Sequence, residues 1–188
     1  MRLSLPAPSS SPSLTLAFYS AIPDGSTVFA ASSTSLEEIG YTDYVKANAS
    51  KWQDINAKVQ AAAYEQSGEI RRKEGSTADY FLSSVSALTE EGDLTVVDAS
   101  GSRVNGFYSA KNLVVVVGTN KIVPDYVSAV KRTYEYALPL ESARARIAYA
   151  AYGVKGSSIN NFAAIRGGNP FGAPGRIHVI IVKDVLGF

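Results

Sequence analysis

Apolar and polar positions alternate along the chain in blocks that change period several times. Leu14, Leu16, Ala17 and Phe18 make a short helix or buried segment that ends before the turn at 23–26. Residues 27–31 are β-branched, aromatic or small and carry no charge, which predicts a short buried strand. A helix is expected from Leu36 to about Lys46, since Leu36, Ile39 and Tyr44 fall at roughly helical spacing. Between about residues 52 and 72, Ile55, Val59, Ala62 and Ala63 form the stripe of an amphipathic helix. A further short helix is expected from Gly75, with Ser76 or Thr77 as its cap.

In the middle of the chain the period shortens. Residues 84–89 and 94–98 flank Glu90-Glu91-Gly92-Asp93, which predicts a β-hairpin. Residues 104–108 fit a short helix or strand. Leu113-Val114-Val115-Val116-Val117 predicts a strand buried on both faces, as in parallel sheets. Pro124 opens a helix to about Ala137, and a second helix is expected from about Leu140 to Tyr152. Residues 153–175 are loop-rich, and 177–182 make the last strand. Strands alternating with helices imply an α/β domain with a mostly parallel sheet plus a hairpin.

Composition narrows the chemistry. A length of 188 residues suits one domain, and 46% hydrophobic with 19% charged residues excludes a disordered chain. Eighteen basic against 17 acidic residues leave a net charge of +1, so nucleic acid is not the expected partner. Zero cysteines exclude disulfides, iron–sulfur clusters and a cysteine nucleophile, and the single His178 excludes a multi-histidine metal site. Carboxylates could still hold Mg²⁺ or Ca²⁺, but no metal and no cofactor is expected. Residues 1–13 are rich in Ser and Pro with Arg2 as their one charge, and read as a disordered or atypical leader. A mitochondrial presequence has weaker support there, so a cytoplasmic location is expected, with no membrane partner.

Three segments can carry chemistry. Ser32-Ser33-Thr34-Ser35 lies between a strand and a helix, where free backbone N–H groups and hydroxyls suit an anion. The same residues also fit plain capping, with Ser35 and Glu38 as a capping box. Glu37, in the first helical turn, is the candidate acid, base or nucleophile, or else a surface carboxylate that complements the dipole. Ser100, Gly101 and Arg103 lie in a glycine turn that can form an anion nest, or a tight turn whose arginine pairs with Asp98 or Glu90. Asn120 and Lys121 follow the buried strand, where loops line ligand clefts, or make a helix-leading turn with a solvated lysine. His178 sits in an apolar strand and takes no role, and a serine triad would need it as base.

The order of four segments adds a resemblance. Residues 32–40 (Ser-Ser-Thr-Ser-Leu-Glu-Glu-Ile-Gly), 86–92 (Ser-Ala-Leu-Thr-Glu-Glu-Gly), 97–104 (Val-Asp-Ala-Ser-Gly-Ser-Arg-Val) and 116–125 (Val-Val-Gly-Thr-Asn-Lys-Ile-Val-Pro-Asp) resemble the lactate-utilisation, or LUD, domain family, which includes LutC/YkgG-like proteins. The resemblance covers about residues 21–137. It implies a Rossmann-like three-layer α/β sandwich of the ribose-phosphate isomerase, glucosamine-phosphate deaminase and CoA-transferase type, here as a single domain over 14–188. It also implies a link to lactate or organic-acid utilisation. Many relatives carry cysteines after the last matching segment, whereas 138–188 has none, so a cluster or metal function does not carry over. A strand and helix expected before Thr27 are not evident, which would leave a sheet edge for a partner to cover, a homodimer being one way.

The expected function is binding of a small anionic metabolite, carboxylate, phosphate or CoA-linked, in a cleft at the C-terminal ends of the strands. Ser33, Thr34, Ser35, Ser100, Gly101, Arg103, Asn120 and Lys121 would hold it, with Glu37 as the catalytic candidate. The alternative is a non-catalytic accessory or regulatory protein that binds a metabolite.

Overall fold

The β-branched run around Val115 is threaded between two layers, and the rest of the architecture follows from covering both of its faces. The computed structural model describes residues 22–166 and 175–188. In chain order these hold β1 (Thr27–Ala30), α1 (Thr34–Glu38), α2 (Tyr41–Ala47), β2 (Gln53–Asp54), α3 (Ile55–Ala61), α4 (Tyr64–Lys73), β3 (Tyr80–Ser83), β4 (Ala87–Thr89), β5 (Leu94–Asp98), α5 (Ser102–Ser109), β6 (Asn112–Gly118), β7 (Ile122–Val123), α6 (Tyr126–Arg132), α7 (Leu138–Ala148), β8 (Asn161–Ile165) and β9 (Ile177–Val182). The segment expected at 14–19 and the leader lie outside the described residues, as does most of the loop-rich stretch around Gly172.

The chain is α/β and Rossmann-like. Five strands in the order β2-β1-β3-β6-β9 form a sheet in which every neighbouring pair is parallel. Because side chains alternate across a strand, its two faces build two cores. Phe29, Phe81, Leu113, Val115 and Val117 point to one, and Val28, Ala30, Leu82, Val114 and Val116 to the other. The first core is closed by Ile55 and Val59 of α3, by Phe107 of α5, and by Leu88, Leu94, Val96 and Ala163 of a second sheet. The other is closed by Leu36 of α1, Tyr41 of α2, Trp52 and Leu186. β9 is an outer strand, and Val179 and Ile181 on it are exposed, as is His178 opposite Val114.

The second sheet, ordered β7-β4-β5-β8, contains the expected hairpin, with Leu88 opposite Leu94. It leaves the first sheet at two places, residues 84–86 between β3 and β4 and the 3₁₀ turn Thr119–Lys121 between β6 and β7.

Several expected elements differ in detail. The helix expected over 36–46 is two helices, broken at Gly40, whose φ of +77° suits glycine. The helix over 52–72 is likewise two, α3 and α4, and begins only after β2. Gly75 opens a 3₁₀ turn without a side-chain cap, and the next element is strand β3 rather than more helix. The strand expected from Ser84 begins at Ala87, and residues 104–108 are helical. The two helices expected around 124–152 run on as one, because a π turn over Thr133–Ala137 joins α6 to α7 with α-region dihedrals at both junctions. Pro139 has no N–H to donate, and the widened turn lies directly before it, where an α-helical partner would be lost.

Candidate functional site

A cleft of about 450 Å³ opens at the C-terminal ends of β1 and β3, between the two sheets and under α7. This is where open α/β sheets bind ligands. Ser33, Thr34, Ser35, Glu37, Ser100, Arg103 and Lys121 line it; Gly101 and Asn120 do not.

Lys121 forms the floor. It is 3% exposed, and its amine donates to Ser35 Oγ at 2.9 Å and Ser84 Oγ at 3.0 Å. No carboxylate lies within ion-pair distance of it among the described residues. Burial, and then the nearby Arg132 and Arg103, pull its pKa from 10.5 down to about 7, against a smaller opposite pull from Glu38. Lys121 closes the 3₁₀ turn that directly follows β6, a strand buried along most of its length, and is buried there with it.

Ser35 and Glu38 do not form the expected capping box. Ser33 is the N-cap of α1, its Oγ accepting from Leu36 N at 3.4 Å. Ser35 is buried and donates to Leu186 O at 3.3 Å, while the Glu38 carboxylate accepts from Gly187 N at 2.6 Å. The segment after β9 therefore competes for both side chains. Asn120 is held by the same segment, with its Nδ2 donating to Gly187 O at 3.2 Å and its Oδ1 accepting from Leu186 N at 3.1 Å.

The nest expected at 98–103 has formed, and its anion is internal. Asp98 Oδ1 accepts from Gly101 N at 2.7 Å and Asn161 Nδ2 at 2.8 Å, and Oδ2 from Arg103 N and Val104 N at 2.8 Å each. The amides that would have met a ligand at the start of α5 are thus taken. Arg103 makes no ion pair within 4 Å among the described residues. Its guanidinium instead donates to the carbonyls of Ser32 and Val97, and its buried Nε has no hydrogen-bond partner. Burial lowers its pKa, while Glu141 and Asp98 oppose that and Arg144 adds to it. Ser100 is exposed at the rim, 2.9 Å from Ser102 Oγ. Glu37 is also exposed at the rim, with no ion pair among the described residues.

Other cleft residues carry no motif in the sequence. Ser84 and Ser86 come from the β3–β4 connection, Arg71 from α4, and Glu141 and Arg144 from α7. Glu141 holds Arg144 in a two-point contact of 2.7 and 2.8 Å, which raises the arginine pKa further. Arg144 also lies 5.7 Å from the centre of the Tyr149 ring. Serines directly after an apolar run are a signal for a strand's C-terminal edge, and would have pointed to Ser84 had β3 been recognised. No group of three or more His, Asp or Glu side chains suited to a metal occurs among the described residues. Nor is any described helix long and apolar enough to cross a membrane.

The sequence pattern of the LUD domain matches residues 14–182, which includes the segment after 137 where the short motifs stop. The chain belongs to the LUD domain family. A DUF162 family protein from Deinococcus radiodurans has a similar fold, with a TM-score of 0.50 and 14% identity over 92% of this LUD chain and 84% of its own. The eIF2B beta protein of Chaetomium thermophilum overlaps 61% of the LUD chain and 42% of its own at 15% identity, with a TM-score of only 0.34. No curated protein matches the sequence.

Proposed function

We propose that this LUD domain binds a small organic anion in the cleft, with Arg103 supplying positive charge, Lys121 adding to it below about pH 7, and Ser33, Thr34 and Ser84 supplying hydroxyls. One observation carries this: two basic side chains, one of them 3% exposed, face the same cleft and neither has a carboxylate within 4 Å among the described residues. Buried charge is costly without a partner, so a site of this kind gains from an incoming anion. Family membership supports a carboxylate of the lactate or related organic-acid class as that anion. Carboxylate, phosphate and CoA-linked acids share the chemistry that would satisfy these groups.

The test is thermal unfolding with lactate, pyruvate, inorganic phosphate and acetyl-CoA. A ligand at about 100 times its Kd stabilises by about 2.7 kcal/mol. Arg103→Met is expected to weaken the responding anion about tenfold or more, the loss of a charge-assisted contact. If none of the four anions raises the unfolding temperature, the cleft does not serve this purpose.

A further inference from the structure

Ser84 differs from the other hydroxyl on the floor of the cleft. Ser35 spends its proton on Leu186 O and accepts from Lys121. Ser84 Oγ has only Lys121 Nζ, at 3.0 Å, as a hydrogen-bond partner among the described residues. That separation is within the reach of a base acting on a nucleophile. Both residues line the cleft, and Ser84 is 7% exposed. They sit at the two crossings between the sheets, so their spacing is set by backbone on both sides.

We propose that Ser84 and Lys121 are a nucleophile–base pair that cleaves activated acyl esters of carboxylate-bearing molecules. The choice of substrate rests on the anion-binding role proposed for the cleft; the pair itself does not. Ser84 Oγ attacks the carbonyl carbon while its proton passes to the free amine of Lys121. The tetrahedral oxyanion forms in a cleft lined by the Arg103 guanidinium, which makes no ion pair within 4 Å among the described residues and lies near enough to influence Lys121. The bond to the leaving oxygen then breaks, and the Lys121 ammonium returns the proton to it, leaving acyl-Ser84. Water repeats the cycle: its proton goes to Lys121, the bond to Ser84 Oγ breaks, Ser84 regains the proton and the carboxylic acid is released. Every bond and proton is accounted for without a cofactor.

Three charged groups from different elements act on Lys121. Arg132 of α6 and Arg103 of α5 disfavour the ammonium, and Glu38 of α1 favours it; with burial the balance is an amine that loses its proton at about pH 7. Serine–lysine pairs use a deprotonated amine of this kind as base. Ser35 then acts as a positioning residue, holding the amine toward Ser84.

The full chain is treated with p-nitrophenyl acetate and, separately, with the mono-p-nitrophenyl ester of succinate, which carries a carboxylate. Release of p-nitrophenol is followed, and the acylated residue is located by peptide mass spectrometry. The expected results are an adduct on Ser84 and a rate with the acetate ester that rises through about pH 7. Lys121→Met should slow acylation by about 10²- to 10⁴-fold. The succinate ester should react faster than the acetate, with the preference lost in Arg103→Met. Mapping uses the unaltered protein, so it decides the matter even if a variant misfolds. No adduct on Ser84 with either ester, or an adduct on Lys121 in its place, overturns the pair, and anion-induced stabilisation would then leave the binding role standing. A Ser84 adduct with no preference for the succinate ester keeps the pair and overturns its assignment to carboxylate-bearing substrates.

Discussion

At the scale of residues, Lys121 links stability to pH. Above about pH 7 the folded amine is neutral, whereas an unfolded lysine keeps its proton to about 10.5. Between those limits the unfolded chain binds more protons, so this group makes the protein more stable as pH rises, and the full cost of the buried charge is felt below pH 7. Lys121→Met removes that cost. The variant should exceed the parent in stability at about pH 6 and lose its advantage toward about pH 10, measured by urea unfolding; an advantage independent of pH would contradict the burial argument. Gly106 is a case of pure space. A Cβ there would lie 2.1 Å from the Phe81 ring, which is fully buried between α5 and the main sheet. Gly106→Ala is therefore expected to destabilise by about 1–3 kcal/mol or more in the same assay, despite its better helix propensity.

At the scale of elements, α5 begins on the Asp98 carboxylate, which accepts from the amides of Gly101, Arg103 and Val104. Asp98→Ala strips its amides of their acceptor and should destabilise by about 1–2 kcal/mol, the usual cost of a lost cap. It also frees the nest, so inorganic phosphate should recover stability in the variant and have a smaller effect through this element in the parent. Equal phosphate stabilisation of the two would mean that the freed amides take no anion. Elements with a long or strongly patterned signal are legible in the amino-acid sequence: the hairpin β4–β5, the strands β1, β6 and β9, and the helical character of α3 and α4. β3 is hidden because Tyr80-Phe81-Leu82 is a short apolar run that periodicity alone does not divide between helix and strand. β8 is hidden because only Ala163 on it is buried, which leaves no alternation to read. The break at Gly40 has a glycine to mark it and the π turn has Pro139 after it, whereas the break at Ala62 and Ala63 falls among good helix formers with nothing in the sequence to mark it.

At the scale of the whole molecule, the cleft gathers residues from both sheets and from α7, and this explains which of them local pattern could find. Ser33, Ser35, Arg103 and Lys121 follow or precede recognisable elements, and their clustering follows from the rule that ligand sites lie at strand C-terminal ends. Arg71, Glu141 and Arg144 come from helical faces that look like ordinary solvated surface in the sequence, and only the packing of α4 and α7 directs them inward. The segment after β9 is the fastener of this assembly. Leu186 is fully buried against the second core, so Leu186→Ala should cost about 2–5 kcal/mol in urea unfolding. A cost near zero would show that this segment does not hold the cleft together.

The hydrogen bonds from residues 186 and 187 to Ser35, Glu38 and Asn120 also set a schedule. A chain leaving the ribosome delivers α1 first and the β6–β7 turn much later, and both wait for a segment made later still. In the folded chain Gly187 covers one side of the Lys121 amine, its Cβ position 3.5 Å from Nζ. The burial of Lys121 is therefore completed by residues that synthesis adds more than sixty positions after it.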